Sequence, residues 1–348
     1  MCASVVPSIV TDNERFSFLE GAVGDATHIS PRYATSSTFL KIGGSPTGVT
    51  HALAPSNSAF WRIEPPSLPT GTDTSGQSAG TKMIEMFDRG DHMICLKNKT
   101  ALVTGASRGI GRATAKALAK EGAYVVVHYG RSAAEADTLV TEIRAAGGQA
   151  DRVGSNLSAS EGAAALATQV RELVGDRLDI FVSNAGISKA ATTAEHSIAD
   201  FDNLFATNVR SPFFIVKELL PLFNEGSSIT LVTSLAARAV PGNIGLPGTP
   251  SVPAYAATKG ALDTLVKHWA AAFGPKGIRV NAIAPGVIDT DASNFTKSEA
   301  GRSATISMQA LKRIGQADDI ADVIVFVASD SARWITGAII PVDGGSKL

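Results

Sequence analysis

From Lys97 onward, short apolar runs alternate with longer stretches whose apolar residues recur at helical spacing. The runs at Thr100–Thr104, Ala123–Val127, Ala150–Gly154, Ile180–Ser183, Ser228–Thr233, Arg279–Ala284 and Ala338–Pro341 predict strands. The stretches around Gly109–Glu121, Ala133–Ala146, Glu161–Leu173, Ala199–Phe223, Ala254–Phe273 and Asp318–Ala328 predict helices. Strand and helix in alternation are the signature of an α/β parallel sheet. Right-handed crossovers put the helices on both faces of such a sheet. Ligands then gather at the carboxyl edge of the strands. No internal repeat is visible.

Before that point the pattern fails. Residues 1–95 lack sustained periodicity and are rich in Ser, Thr, Gly and Pro, as in Gly43-Gly44-Ser45-Pro46-Thr47-Gly48 and Glu64-Pro65-Pro66-Ser67-Leu68-Pro69. Pro removes backbone donors and Gly raises the cost of ordering, so no packed core is expected there. The basic start and apolar run of a secretory signal are missing, and the early acids Asp12, Glu14, Glu20 and Asp25 do not suit a mitochondrial leader. The segment reads as a disordered tail or as the product of a start placed too far upstream, with Met83, Met86 and Met93 as alternative starts. The domain reading is therefore an extension over 1–95 and one catalytic domain over 96–348.

Composition narrows the class. Of 348 residues, 44% are apolar and 18% charged, which supports a sizeable core. A net charge of -1 argues against nucleic acid or an anionic membrane as the main partner. No run is apolar and long enough to span a bilayer. The two cysteines, Cys2 and Cys95, suggest neither a disulfide framework nor a zinc site, and a reducing cytoplasm fits.

The chemistry begins at Thr104-Gly105-Ala106-Ser107-Arg108-Gly109-Ile110-Gly111, between the first strand and the first helix. Gly105 makes the turn, Gly109 admits a ligand close to the backbone, and Gly111 lets helix and strand pack tightly. Free N–H groups at the helix start then face an anion, most plausibly a pyrophosphate. An NAD-selective site usually carries an acid about 20 residues further on. Here Val125-Val126-Val127 runs into His128-Tyr129-Gly130-Arg131-Ser132 with no acid at its end. Arg108 and Arg131 are instead placed to clamp a 2′-phosphate, which a guanidinium suits by charge and fork geometry. NADP is expected in preference to NAD.

Three further signals follow: Ser183-Asn184-Ala185-Gly186 at a strand end, Ser234 just after another, and Tyr255-Ala256-Ala257-Thr258-Lys259 opening a long helix. With the glycine turn, and in this order, they closely resemble the short-chain dehydrogenase/reductase family over about Lys97–Leu348. The resemblance implies a single Rossmann-type, doubly wound parallel sheet of about seven strands. It implies hydride exchange between a nicotinamide and a ketone or secondary alcohol, with reduction as the expected direction. Tyr255 and Lys259, four apart, share one helix face. A free tyrosine has a pKa of about 10, and a nearby ammonium lowers it, so Tyr255 is expected to act as general acid or base. Lys259 is also expected on the nicotinamide ribose, Ser234 on the substrate oxygen, and Asn208 on a water of a proton relay.

The same resemblance assigns Asn184, Ala185 and Gly186 to the cofactor, with Ser183 standing where the family often has another asparagine. Asn156 and Leu157 correspond to an adenine contact usually made by an aspartate. Pro285, Gly286, Ile288 and Thr290, in Pro285–Thr290, correspond to the loop that meets the nicotinamide amide. Members resembling this chain include 3-oxoacyl-carrier-protein reductases. An acidic carrier protein wants basic residues near the pocket mouth, yet only Lys217 is close by and Glu225 has the wrong sign. The Gly/Pro-rich segment from Val240 to Pro253 reads either as a loop that shapes the pocket or as a neutral surface insertion, and the segment from Asp291 to Gln309, with Phe295, Ile306 and Met308, is expected to be the second substrate wall or lid. Small residues Ala256, Ala257, Gly260 and Ala261 on the Tyr255 helix fit the family's homodimer or homotetramer packing. A terminal Ser346-Lys347-Leu348 also reads as a peroxisomal address in a eukaryote, against a cytoplasmic default. The rival reading is a cofactor-binding scaffold without turnover.

Overall fold

The computed structural model describes residues 94–239, 252–291, 293 and 295–346. The expected extension over 1–95 lies outside these residues except for Ile94 and Cys95, and so does nearly all of the segment from Val240 to Pro253. The fold begins at Leu96, which is buried and donates its N–H to the Glu121 carbonyl at 2.8 Å.

Seven strands form one parallel sheet in the order β3-β2-β1-β4-β5-β6-β7. They are β1 Thr100–Val103, β2 Tyr124–Tyr129, β3 Gln149–Gly154, β4 Ile180–Ser183, β5 Ser228–Val232, β6 Arg279–Pro285 and β7 Ile339–Val342. β1 pairs with β2 on one side and β4 on the other, with Val103 opposite both Val127 and Val182. The strand order reverses there, so a crevice opens at the carboxyl ends of β1 and β4.

Side chains alternate across the sheet and build two cores. Ala101, Val103, Val125, Val127, Ile180 and Val182 pack with Leu118 of α1 (Gly109–Lys120), Leu139 and Ile143 of α2 (Ala133–Ala145), and Ile320 and Ile324. The intervening Leu102, Val126 and Phe181 pack on the opposite face with Leu166 and Val170 of α3 (Gly162–Val174), and with Ile215, Leu219, Leu262 and Val266. Each such aliphatic side chain contributes about 1.5–3 kcal/mol when fully buried.

The helix expected over Ala199–Phe223 is broken in the structure. It consists of α4 (Ile198–Phe205), a π turn (Ala206–Arg210), α5 (Ser211–Leu219) and a 3₁₀ turn (Leu220–Leu222). Two prolines account for the breaks. Pro212 and Pro221 lack the N–H that a regular helix needs and clash with the preceding turn. The long helix α6 (Pro253–Phe273) follows. Part of the expected substrate wall is itself helical: α7 (Glu299–Met308) is capped by Ser298, whose Oγ accepts the Gly301 N–H at 3.1 Å. The last helix, α8 (Ala317–Ala328), starts with a capping box between Gln316 and Asp319.

Candidate active site

The glycine turn sits at the switch point. Gly105 adopts φ +64, and a Cβ on it would come within 2.9 Å of the Ala185 backbone. Gly111 is packed harder still: a Cβ there would fall 2.4 Å from both Asn184 Nδ2 and the Gly105 carbonyl. Asn184 ties the two strand ends together, donating from Nδ2 to the carbonyls of Thr104 at 2.9 Å and Gly105 at 3.1 Å. The Thr104 hydroxyl accepts the N–H groups of Asn184 and Ala185 at 3.0 and 3.1 Å.

Helix α1 opens at Arg108 with no side-chain cap and no acid in its first turn. Its positive end is thus left for an anion. Ser107 is buried beneath it, Ile110 is half-buried, and Thr290 lies beside Gly109, so the loop Pro285–Thr290 faces the glycine turn. These residues fit a pyrophosphate-bearing dinucleotide: an uncapped helix terminus at the end of a glycine turn.

Arg108 and Arg131 are both exposed and follow the neighbouring strands β1 and β2; neither makes an ion pair among the described residues. Asn156 is held in its own turn, its Oδ1 accepting from the Ser158 N–H and hydroxyl at 3.2 and 2.9 Å, while Leu157 is buried in the core. The acceptor offered to an adenine by the sequence reading is therefore engaged by Ser158.

In the loop Pro285–Thr290, a Cβ on Gly286 would fall 2.9 Å from the Asp343 backbone, and its N–H reaches the Val342 carbonyl at 3.1 Å. Ile288 forms a parallel bridge to Gly315, with the Asp289 N–H donating to the Gly315 carbonyl at 2.8 Å. The Ile288 side chain is buried in the core, so its own N–H and carbonyl are what it can present on the other side.

Ser234, Tyr255, Lys259 and Asn208 come together from three elements. Tyr255 and Lys259 lie on α6, and Ser234 caps the turn after β5 by accepting the Ala236 N–H at 3.1 Å. The Ser234 hydroxyl also stands beside the Tyr255 phenol and acts to lower its pKa. Burial acts more strongly in the opposite direction and holds the phenol above its ordinary value. The expected lowering by the Lys259 ammonium is thus not what sets the phenol here. The Lys259 ammonium stands 5.7 Å from the Tyr255 ring centre and donates to the Val232 carbonyl at 2.8 Å. Burial pulls its own pKa down to about 8, with Asp263, one turn further along α6, acting to raise it.

Asn208 lies in the π turn and is fully buried. Its Nδ2 donates to the Ile187 carbonyl at 2.9 Å and the Thr258 hydroxyl at 3.0 Å, and its Oδ1 accepts the Ile187 N–H at 2.9 Å. Gly186 lies between them, and a Cβ on it would fall 3.3 Å from Asn208 Oδ1 and 3.4 Å from Lys259 Nζ. The Asn208 side chain is thus committed to bracing the loop after β4. Pro212, four residues on, has no N–H to give to the Asn208 carbonyl.

Two structural residues were missed in the sequence. His128, buried at the end of β2, accepts the Gly105 N–H. Asp263 is salt-bridged to Arg238 at 2.9 Å, joining α6 to the turn that follows Ser234. The i, i+4, i+8 spacing of Tyr255, Lys259 and Asp263 was visible and would have found it.

A parallel sheet of this order, with a glycine turn at its switch point, defines a dinucleotide-binding α/β domain. The family described as enoyl-(acyl carrier protein) reductase matches residues 105–347. Versicolorin reductase stcU of Emericella nidulans is 38% identical over 263 residues, covering 72% of this chain and 96% of its own. The 3-oxoacyl-[acyl-carrier-protein] reductase FabG of Staphylococcus epidermidis is 35% identical over 253 residues, covering 72% of this chain and 100% of its own. Among solved structures, the angucycline C-6 ketoreductase LanV with bound NADP superposes with a TM-score of 0.66 at 36% identity, covering 72% of this chain and 96% of its own. The chain belongs to the short-chain dehydrogenase/reductase family and is an oxidoreductase. Among the described residues, no helix is long and apolar enough to cross a membrane.

Proposed function

We propose that this protein is an NADPH-dependent ketone reductase with Tyr255 as its general acid. The observation that carries the reading is the Ser234 hydroxyl beside the Tyr255 phenol, with the buried ammonium of Lys259 5.7 Å from the Tyr255 ring centre. Gly105, Ser107, Arg108, Gly109, Ile110 and Gly111 cradle the pyrophosphate, and Arg108 and Arg131 hold the 2′-phosphate. Asn156 and Leu157 flank the adenine. Asn184, Ala185 and Gly186 line the floor, and Pro285, Gly286, Ile288 and Thr290 face the nicotinamide. Bound NADPH supplies the hydride. Ser234 orients the substrate oxygen, and Tyr255 gives it a proton. Burial keeps the phenol protonated, which suits an acid. Lys259 and the Asn208 carbonyl return the proton from solvent.

The names of the relatives support a ketone. One is a versicolorin reductase and another an angucycline ketoreductase. The alternative, a 3-oxoacyl thioester on a carrier protein, is supported by the likeness to FabG. Self-association belongs to the same reading. Phe213 and Phe214 on α5 are 42% and 41% exposed side by side, an apolar patch suited to a second copy in a homodimer or homotetramer.

The test is NADPH oxidation, followed by absorbance, with fused-ring aromatic ketones, simple ketones and 3-oxoacyl thioesters, and NADH in parallel. Turnover of a ketone with NADPH supports the reading, and a thioester as best substrate moves it to the alternative. NADPH binding without turnover across the panel would leave a scaffold.

A further inference from the structure

His128 is 1% exposed and takes no part in the chemistry proposed above. Its ring stands between two backbone groups that belong to different strand ends. The Gly105 N–H donates to Nδ1 at 3.1 Å, and Nε2 lies 3.1 Å from the Ser155 carbonyl. An N–H can only donate and a carbonyl can only accept, so Nδ1 is bare and Nε2 carries the hydrogen. One neutral tautomer satisfies both. Burial pulls the ring's pKa down to about 4, so it is neutral at ordinary pH. The backbone of His128 adds a third tie, accepting the Ala106 N–H at 2.9 Å.

The two ends so joined lie at the glycine turn and just before Asn156 and Leu157. Gly105, at φ +64, has turned out of β1 and directs its N–H at the ring. Ser155 is fixed in turn, donating its N–H to Tyr129 at 3.1 Å and its hydroxyl to the Gly162 carbonyl at 2.6 Å. An imidazole is flat and rigid, so the separation of its two nitrogens sets the separation of the two loops.

We propose that His128 is a positioning residue for the dinucleotide, a rigid spacer that sets the distance between the pyrophosphate turn at Gly105 and the adenine loop at Ser155–Leu157. The inference rests on the NADP reading above and adds to it a residue that touches the cofactor-bearing loops without touching the cofactor.

The two arms can be cut separately. His128→Asn keeps an acceptor near the place of Nδ1 and loses the arm to Ser155. His128→Gln puts an amide near the place of Nε2 and loses the arm to Gly105. His128→Leu removes both. The probes are NADPH and adenosine 2′-monophosphate, which carries the adenine end without the pyrophosphate. Binding is measured by fluorescence titration, with kcat at saturating NADPH and the urea midpoint in parallel. The leucine variant is expected to raise the NADPH Kd about tenfold or more, and each single-arm variant several-fold, the scale of losing buried hydrogen bonds, with kcat within about twofold. Adenosine 2′-monophosphate is expected to weaken in His128→Asn and to hold in His128→Gln. Unchanged NADPH affinity in the asparagine and glutamine variants, or a lower urea midpoint with unchanged affinity, would overturn the spacer role; both variants decide it even if the leucine variant does not fold. A wild-type chain that binds no NADPH would instead remove the cofactor reading itself, before any variant is compared.

Discussion

Lys259 donates to the carbonyl of Val232 at 2.8 Å, so the helix that carries Tyr255 is tied to the strand that ends two residues before Ser234. The tie fixes the ammonium in a buried place, where its pKa falls to about 8. Around it stand the Tyr255 ring, the neutral Asn208 amide and, one turn along α6, the Asp263 carboxylate. Asp263 is the group that raises the Lys259 pKa against burial. Asp263→Asn therefore lowers it further, and the ammonium is lost at a lower pH. The basic limb of kcat/KM is expected to move down by about half a unit to one unit. A pH–rate profile from neutral to alkaline conditions reads this directly, and a stationary limb would mean that Lys259 does not act as a charge in the reaction.

Tyr255→Phe removes the proton and little else, since the ring and its packing remain. A loss of about 10²-fold or more in kcat is expected, the scale of general acid catalysis. NADPH affinity, measured by titration, is expected to stay within about twofold. A phenylalanine variant that still turns over at a comparable rate would place the acid elsewhere.

Arg131 lies directly beyond β2 with no carboxylate partner among the described residues. Arg131→Ala is expected to raise the Kd for NADPH about tenfold, with NADH nearly unaffected, because in the proposed reading the guanidinium serves the 2′-phosphate alone. Equal losses for the two cofactors would assign the arginine a structural role.

Gly111→Ala tests the joint between α1 and the switch point. The added methyl meets Asn184 Nδ2 and the Gly105 carbonyl at 2.4 Å, a contact that neither backbone nor braced amide can relieve cheaply. Overpacking of this kind costs typically 1–3 kcal/mol. The expected outcome is a lower urea midpoint with NADPH affinity reduced alongside it, since the same amide holds the glycine turn.

The central strands were legible because they are buried on both faces and read as apolar runs, such as Ile180–Val182 of β4. Strand ends shifted where the run alone decides nothing. β2 extends through His128 and Tyr129 because β3 pairs with both, a partner the local pattern does not show. Ser234, Tyr255 and Lys259 were legible as a spaced set, and the structure brings them together. What escaped was interaction at a distance. The tie from Gly105 through His128 to Ser155 spans strands, and periodicity carries no information about it. Helix α7 was read only as a wall, although Ser298 three residues before Gly301 was a usable cap signal. The raising of the Tyr255 pKa by burial was not legible either, because desolvation depends on the whole surrounding shell.

The π turn at Ala206–Arg210 makes the number of residues in that helix as consequential as their identity. A regular helix advances about 100° per residue. The wide turn sets the angular phase between α4 and α5, and Asn208 sits where the phase slips. Removing one residue between Ala206 and Arg210 would turn α4 relative to α5 by about that angle and carry Asn208 away from Ile187 and Thr258. The segment is therefore open to substitution at its solvent-facing positions but closed to changes of length. An alignment gap placed there in a relative would mark a differently braced loop after β4.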